Sequence, residues 1–171
     1  MLRSILATGL LAALAAHAQE HQHQHPHEGK AAKAASARET AFGRAGDPKK
    51  AARTIDIVMS DKMRFTPVAL TVKQGETVRF RVKNSGQTMH EMVLGTMQEL
   101  KAHAEMMQKH PGMEHEEAWM MHVAPGKTET MLWQFTKAGD FHYGCLVPGH
   151  FEAGMIGKVK VMPRDALTPK H

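Results

Sequence analysis

One cysteine, one tyrosine and two tryptophans occur among the 171 residues, and aromatic side chains make up only 5% of them. A single thiol excludes an internal disulfide, so a stable fold must rest on burial rather than on cross-links. Long apolar runs are equally scarce. The one at the N-terminus is too short to span a bilayer, and no later segment approaches the about 18 consecutive apolar residues that a spanning helix needs. Charge of one sign is not concentrated either, since 22 Lys and Arg face 17 Asp and Glu in a dispersed pattern. With no basic, aromatic-rich face, the sequence argues against nucleic-acid binding. The modest positive excess fits docking to an acidic redox partner without identifying one.

The N-terminus carries an export signal. Met1-Leu2-Arg3 supplies one positive charge, Ile5 to Ala16 is apolar apart from Thr8 and Gly9, and Ala16-His17-Ala18 has the form of a cleavage site. Residues 1–18 therefore read as a bacterial-type secretory signal peptide, which predicts a periplasmic protein beginning at Gln19 with no transmembrane anchor after cleavage. The remainder is long enough for one domain and a tail. In an oxidising compartment an exposed free thiol is liable to oxidation, so the lone Cys145 needs a reason to persist.

From Gln19 to Ala52 the composition shifts to His, Gln, Ala, Lys and Gly with almost no large apolar residues, which predicts a disordered tail over residues 19–52. Beyond it the apolar residues alternate. Ile55 and Ile57, then Leu70 and Val72, then Val78, Phe80 and Val82 mark strands, with a turn at Gln74-Gly75. His90, Met92 and Leu94 share a side; Met131, Trp133 and Phe135 alternate; Phe141, Tyr143 and Cys145 point together; Val159 and Val161 close the pattern. The expectation is an all-β sandwich of about seven short strands over residues 53–163, with a tail at 164–171. Its parity shelters the Cys145 sulfur beside Phe141 and Tyr143.

The chemistry is concentrated in Cys145-Leu146-Val147-Pro148-Gly149-His150-Phe151-Glu152-Ala153-Gly154-Met155, a C-x4-H-x4-M run that holds the only thiol. A thiolate, an imidazole and a thioether form a soft ligand set suited to copper moving between Cu(II) and Cu(I). A type 1 copper site needs a second histidine in its trigonal plane, and His90 follows a strand and the turn around Ser85-Gly86. The proposed ligands are His90, Cys145, His150 and Met155. Structural zinc or an unmetallated core is the alternative, but one thiolate and one thioether with two histidines suit copper better. A nucleophilic cysteine fits less well, because no oxyanion hole or orienting third group is marked.

These residues, with the upstream Asn84-x5-His90 spacing, resemble the cupredoxin family of blue copper proteins over roughly Arg53 to Met162. The resemblance implies a cupredoxin-like Greek-key β-sandwich, with Met155 as the weak axial ligand and the His150 imidazole as the exposed edge through which an electron leaves. Pro148, Phe151 and Ala153 then form either an apolar docking patch or ordinary loop packing. Asn84 and Glu91 fall beside the ligands. Glu91 departs from the family, which commonly places Asn or Ser after the first histidine to bond the thiolate, so a carboxylate there is expected to alter the tuning of the site.

Two further segments are rich in donors. His21, His23, His25 and His27 alternate along the tail, offering either metal capture or a solvated linker. With cleavage after Ala18, the free amine, two amides and His21 could surround Cu(II) in a square plane. Between about residues 96 and 122 lies a Met/His-rich insertion in which Met97 to Lys109 lacks Gly and Pro and predicts a helix, ended by His110-Pro111-Gly112. Met97, Leu100, Ala104 and Met107 make its packing face. His103, Met106, Met107, His110, Met113, His115, Met120, Met121 and His122 either bind additional copper or belong to a Met-rich lid.

Together these features resemble the periplasmic copper-tolerance cupredoxins of Gram-negative bacteria, which implies a copper-binding protein that handles copper ions, with a periplasmic redox or copper-handling partner. The alternative is a one-electron carrier between periplasmic redox enzymes. No second histidine cluster marks a catalytic copper, so an enzyme is not expected.

Overall fold

The computed structural model describes residues 38–111, 113 and 116–167. They form two five-stranded sheets packed face to face, with one α-helix against the outside of the second. In chain order the strands are β1 (Arg44–Ala45), β2 (Ala51–Ser60), β3 (Arg64–Thr66), β4 (Ala69–Lys73), β5 (Thr77–Asn84) and β6 (His90–Gly95). Helix α1 (Met97–Lys109) follows, then β7 (Met120–Val123), β8 (Thr128–Gln134), β9 (Gly139–Gly144) and β10 (Ile156–Met162). The first sheet runs β1-β8-β5-β2-β3 and the second β4-β10-β9-β6-β7. The pairs β2–β5 and β4–β10 are parallel, and the other ladders antiparallel.

Alternation sets which face is buried. In β5, Val78, Phe80 and Val82 are fully buried while Arg81 and Lys83 are exposed, because successive side chains of a strand point to opposite faces. Ile57 and Met59 of β2, Met131 and Trp133 of β8, Phe141 and Tyr143 of β9, and Val159 and Val161 of β10 meet them in one core, which also holds Cys145 and Met155. The site is thus built into the end of the sandwich core.

Strand β6 is buried on both faces, all six residues included. One face, with Met92 and Leu94, joins the main core, and the other, with Val93, packs against Leu100 and Ala104 of α1 in a second cluster. The helix covers what would otherwise be a solvated sheet face. It begins at a reciprocal cap, in which the Thr96 hydroxyl accepts from the Glu99 N–H and the Glu99 carboxylate accepts from the Thr96 N–H. Leu100, Ala104 and Met107 are its buried residues, as the spacing predicts. Thr96→Ala is expected to cost about 1 kcal/mol of stability, read as a lower denaturation midpoint at unchanged slope.

Three expectations are corrected. The strands among the described residues number ten rather than about seven, the short edge pieces β1, β3 and β7 having too few residues to show a period. Residues 38–52 do not belong to a disordered tail: Phe42 is buried in the core and β1 pairs with β8. Gly43 lets this segment lie against β8, since a side chain there would place its Cβ 2.0 Å from the Gln134 carbonyl oxygen. The end of the Met/His insertion is strand β7, in which Met120 and Met121 pair with Val93 and Met92 of β6. The leader, the tail up to residue 37 and residues 168–171 lie outside the described residues.

Candidate metal centre

Two sequence-distant segments of the second sheet supply the donors. His90 opens β6 after the loop that leaves β5, and this loop is tied down by Asn84. The wholly buried Asn84 amide donates to the carbonyls of Thr88 at 2.7 Å and Val123 at 2.8 Å, and its oxygen accepts from the Gly86 N–H at 2.8 Å. Cys145 follows the last residue of β9, and the run to Met155 winds through successive turns before β10. Its ends are fastened by the Cys145 N–H donating to the Met155 carbonyl at 3.1 Å, and its middle by the Met155 N–H donating to the His150 carbonyl at 3.0 Å.

These elements bring three donors together. Cys145 Sγ lies 3.3 Å from His150 Nδ1 and 3.9 Å from His90 Nδ1, and the ligating atoms of the three residues all lie within 4.8 Å of one another. The two imidazole rings are 4.9 Å apart between centroids. His90, Cys145 and Met155 are inaccessible to solvent, whereas His150 is half-buried. Met155 is thus buried in the same loop and core cluster as the sulfur.

The surroundings set the protonation. Burial pushes the Cys145 thiol up to about 11, against the pull of N–H groups from Glu91 and Val147, and the Glu91 charge adds to the rise. Burial first, and then the neighbouring His90 ring, lowers His150 below the usual imidazole range, which favours the neutral, ligating form. The donor set fits a soft metal ion: two imidazole nitrogens and one sulfur converge in a site shielded from water.

The Glu91 side chain reaches the sulfur through its charge and finds its bonding partner elsewhere. As β6 alternates, its carboxylate turns to His122 on β7, with Oε1 2.9 Å from Nε2, while its main-chain N–H donates to Cys145 Sγ at 3.3 Å. Phe151 is likewise buried beside Leu146 and Leu100 rather than forming a surface patch, though Pro148 and Ala153 are exposed. Sequence reasoning missed Asp61 in the β2–β3 turn, whose Oδ1 lies 3.1 Å from His90 Nε2. The Gln87 N–H, then the Thr88 hydroxyl, hold this carboxylate down to about 2.

Residues 52–162 match the family of copper-binding proteins described as plastocyanin/azurin. The chain belongs to this family. The copper-resistant cuproprotein CopI of Rubrivivax gelatinosus is 54% identical over 123 residues, covering 72% of this chain and 74% of that protein. CopI of Pseudomonas aeruginosa is 37% identical over 164 residues, covering 79% and 90%. In fold, the dithionite-reduced auracyanin of Roseiflexus castenholzii superposes with a TM-score of 0.57 at 22% identity, covering 66% of this chain and 99% of that one. This cupredoxin accordingly takes copper, and its His90, Cys145 and His150 cluster is compatible with a type 1 site.

The other candidate ligands are dispersed. His21, His23, His25, His27 and His115 lie outside the described residues. Met107 and Met120 are buried in packing, Met121 packs on the main core, and His122 pairs with Glu91. His103 borders a cavity of about 280 Å³ beside Trp119. Met106, His110 and Met113 are exposed at the end of α1. Among the described residues, His90, Cys145 and His150 form the single group of three or more His, Cys, Asp or Glu donors able to share an ion.

Proposed function

We propose that this cupredoxin is a periplasmic copper-tolerance protein that holds copper at His90, Cys145, His150 and Met155 and cycles it between Cu(II) and Cu(I). The observation that carries this reading is the buried convergence of two Nδ1 atoms on the Cys145 sulfur. It occurs in a chain similar to proteins named copper-resistant. The bound copper supplies one-electron exchange. The protein supplies a site that is folded in advance: Asn84 fixes the entry loop to β6, the turns of residues 145–155 fix the second histidine, and the core excludes water from the sulfur. His150, the half-buried ligand, is the point at which an electron enters or leaves. Met155, buried in the same core cluster as the sulfur, would complete the set with a soft thioether.

Exposed Met106, His110 and Met113, together with the tail histidines, provide further donors in this reading, the thioethers favouring Cu(I). Copper titration of the signal-cleaved protein, with visible absorption and bound metal followed together, tests it. The expected result is one strongly coloured equivalent followed by weakly coloured or colourless binding that disappears on removing Gln19 to His27 or replacing the exposed methionines. One coloured equivalent alone would favour a one-electron carrier, and no coloured species would overturn both.

A further inference from the structure

Asp61 is bonded on both carboxylate oxygens, and every donor belongs to the segment that delivers a copper ligand. Oδ2 accepts from the Gln87 N–H at 2.7 Å. Oδ1 accepts from the Thr88 hydroxyl at 2.9 Å, lies 3.4 Å from the Thr88 nitrogen, and faces His90 Nε2 at 3.1 Å. The parallel pairing of β2 with β5 creates this arrangement. Met59 stands opposite Asn84, so the turn two residues beyond Met59 meets the loop two residues beyond Asn84. Gly86 leaves room for it, since a Cβ there would sit 2.1 Å from Asp61 Oδ1. His90 is inaccessible to solvent, and its other nitrogen, Nδ1, is the one turned to the Cys145 sulfur.

We propose that Asp61 is a positioning residue of the copper centre: its carboxylate accepts the Nε2–H of His90, keeps Nδ1 as the lone pair facing Cys145, and by its charge favours Cu(II) over Cu(I). An ionised carboxylate is an acceptor only, so the imidazole nitrogen facing it must carry the proton, which leaves the opposite nitrogen free for a metal. A carboxylate behind a ligating histidine also raises the basicity of that ligand, and a negative charge beside the site stabilises the more positive ion. The inference rests on the copper site and not on the tolerance reading, so the two can fail separately.

The test begins with the metal-free full chain after signal removal. Nitrogen-15 NMR of histidine-labelled protein, with His90 assigned by loss of its signal in His90→Asn, is expected to show the proton on Nε2. Asp61→Asn keeps an acceptor oxygen but removes the charge. It is expected to lower the ratio of Cu(II) to Cu(I) affinity about tenfold, within the range seen when outer partners of metal ligands are lost. That ratio corresponds to a potential about 59 mV higher for one electron. Ser85→Ala removes a different clamp on the same loop, the Ser85 hydroxyl that donates to the Met59 carbonyl at 2.8 Å, and leaves Asp61 and His90 in place, so it is expected to lower the melting temperature without moving the ratio. A wild-type His90 carrying its proton on Nδ1 overturns the proposal, even if Asp61→Asn fails to fold. So does an Asp61→Asn ratio unchanged from wild type, or a Ser85→Ala shift equal to that of Asp61→Asn.

Discussion

Cys145→Ser is expected to abolish the intense thiolate-to-copper absorption completely and to weaken copper binding by more than the roughly 10–100-fold cost of losing an outer partner of a ligand. The sulfur is the donor on which both imidazole nitrogens converge, at 3.3 and 3.9 Å. A serine hydroxyl is harder and stays protonated, so it replaces neither the charge nor the softness of the thiolate. The fold should survive, because the Glu91 N–H that donates to Sγ can donate to the hydroxyl instead. Titration with parallel metal analysis separates lost colour from lost binding, and a retained intense band would remove Cys145 from the site.

The same variant carries a pH signature in the metal-free chain. Burial raises the Cys145 thiol from 9.0 to about 11. A group raised on folding contributes stability that is present below its unfolded value and lost as pH rises through the folded one. Metal-free wild type should therefore weaken between pH 9 and about 11, and Cys145→Ser should lack that component. At neutral pH the thiol is protonated, so copper loading should release its proton, an effect that calorimetry in buffers of different ionisation enthalpy detects.

Much of the site was legible because its signal is local. Cys145, His150 and Met155 lie on one loop, and the alternation of Phe141, Tyr143 and Cys145 placed the sulfur in the core that the structure shows. Helix α1 was legible from its bounds and packing face, since a capped run without Gly or Pro carries its own periodicity. Asp61 was not, for a different physical reason. It meets His90 across 29 positions only because β2 and β5 pair in parallel at one register, and nothing in the turn sequence encodes that register. Glu91 was legible as a departure from the family that places a charge by the sulfur, but its partner was not, since that depends on β7 bringing His122 opposite it. Met120 and Met121 read equally as ligands or packing, and pairing with β6 explains their burial.

Phe42→Ala should be among the most destabilising single changes in the chain, at about 3–5 kcal/mol, although composition assigns this residue to a disordered tail. A lone aromatic among Lys, Ala and Gly gives no period to read, and its partners are remote. In the fold, Phe42 is 2% exposed and stacks on Trp133 with centroids 5.3 Å apart. It also meets Trp119 edge-on at 6.2 Å and Phe141 at 6.4 Å. Its carbonyl accepts the Trp133 indole N–H at 3.1 Å. Truncation to alanine therefore opens a cavity among rings from both sheets while leaving the backbone bond available. Denaturation should be followed on the metal-free protein, because copper binds the folded state and would add a stabilisation that depends on its concentration. A loss below about 0.5 kcal/mol, the range of surface substitutions, would return residues 38–52 to the tail.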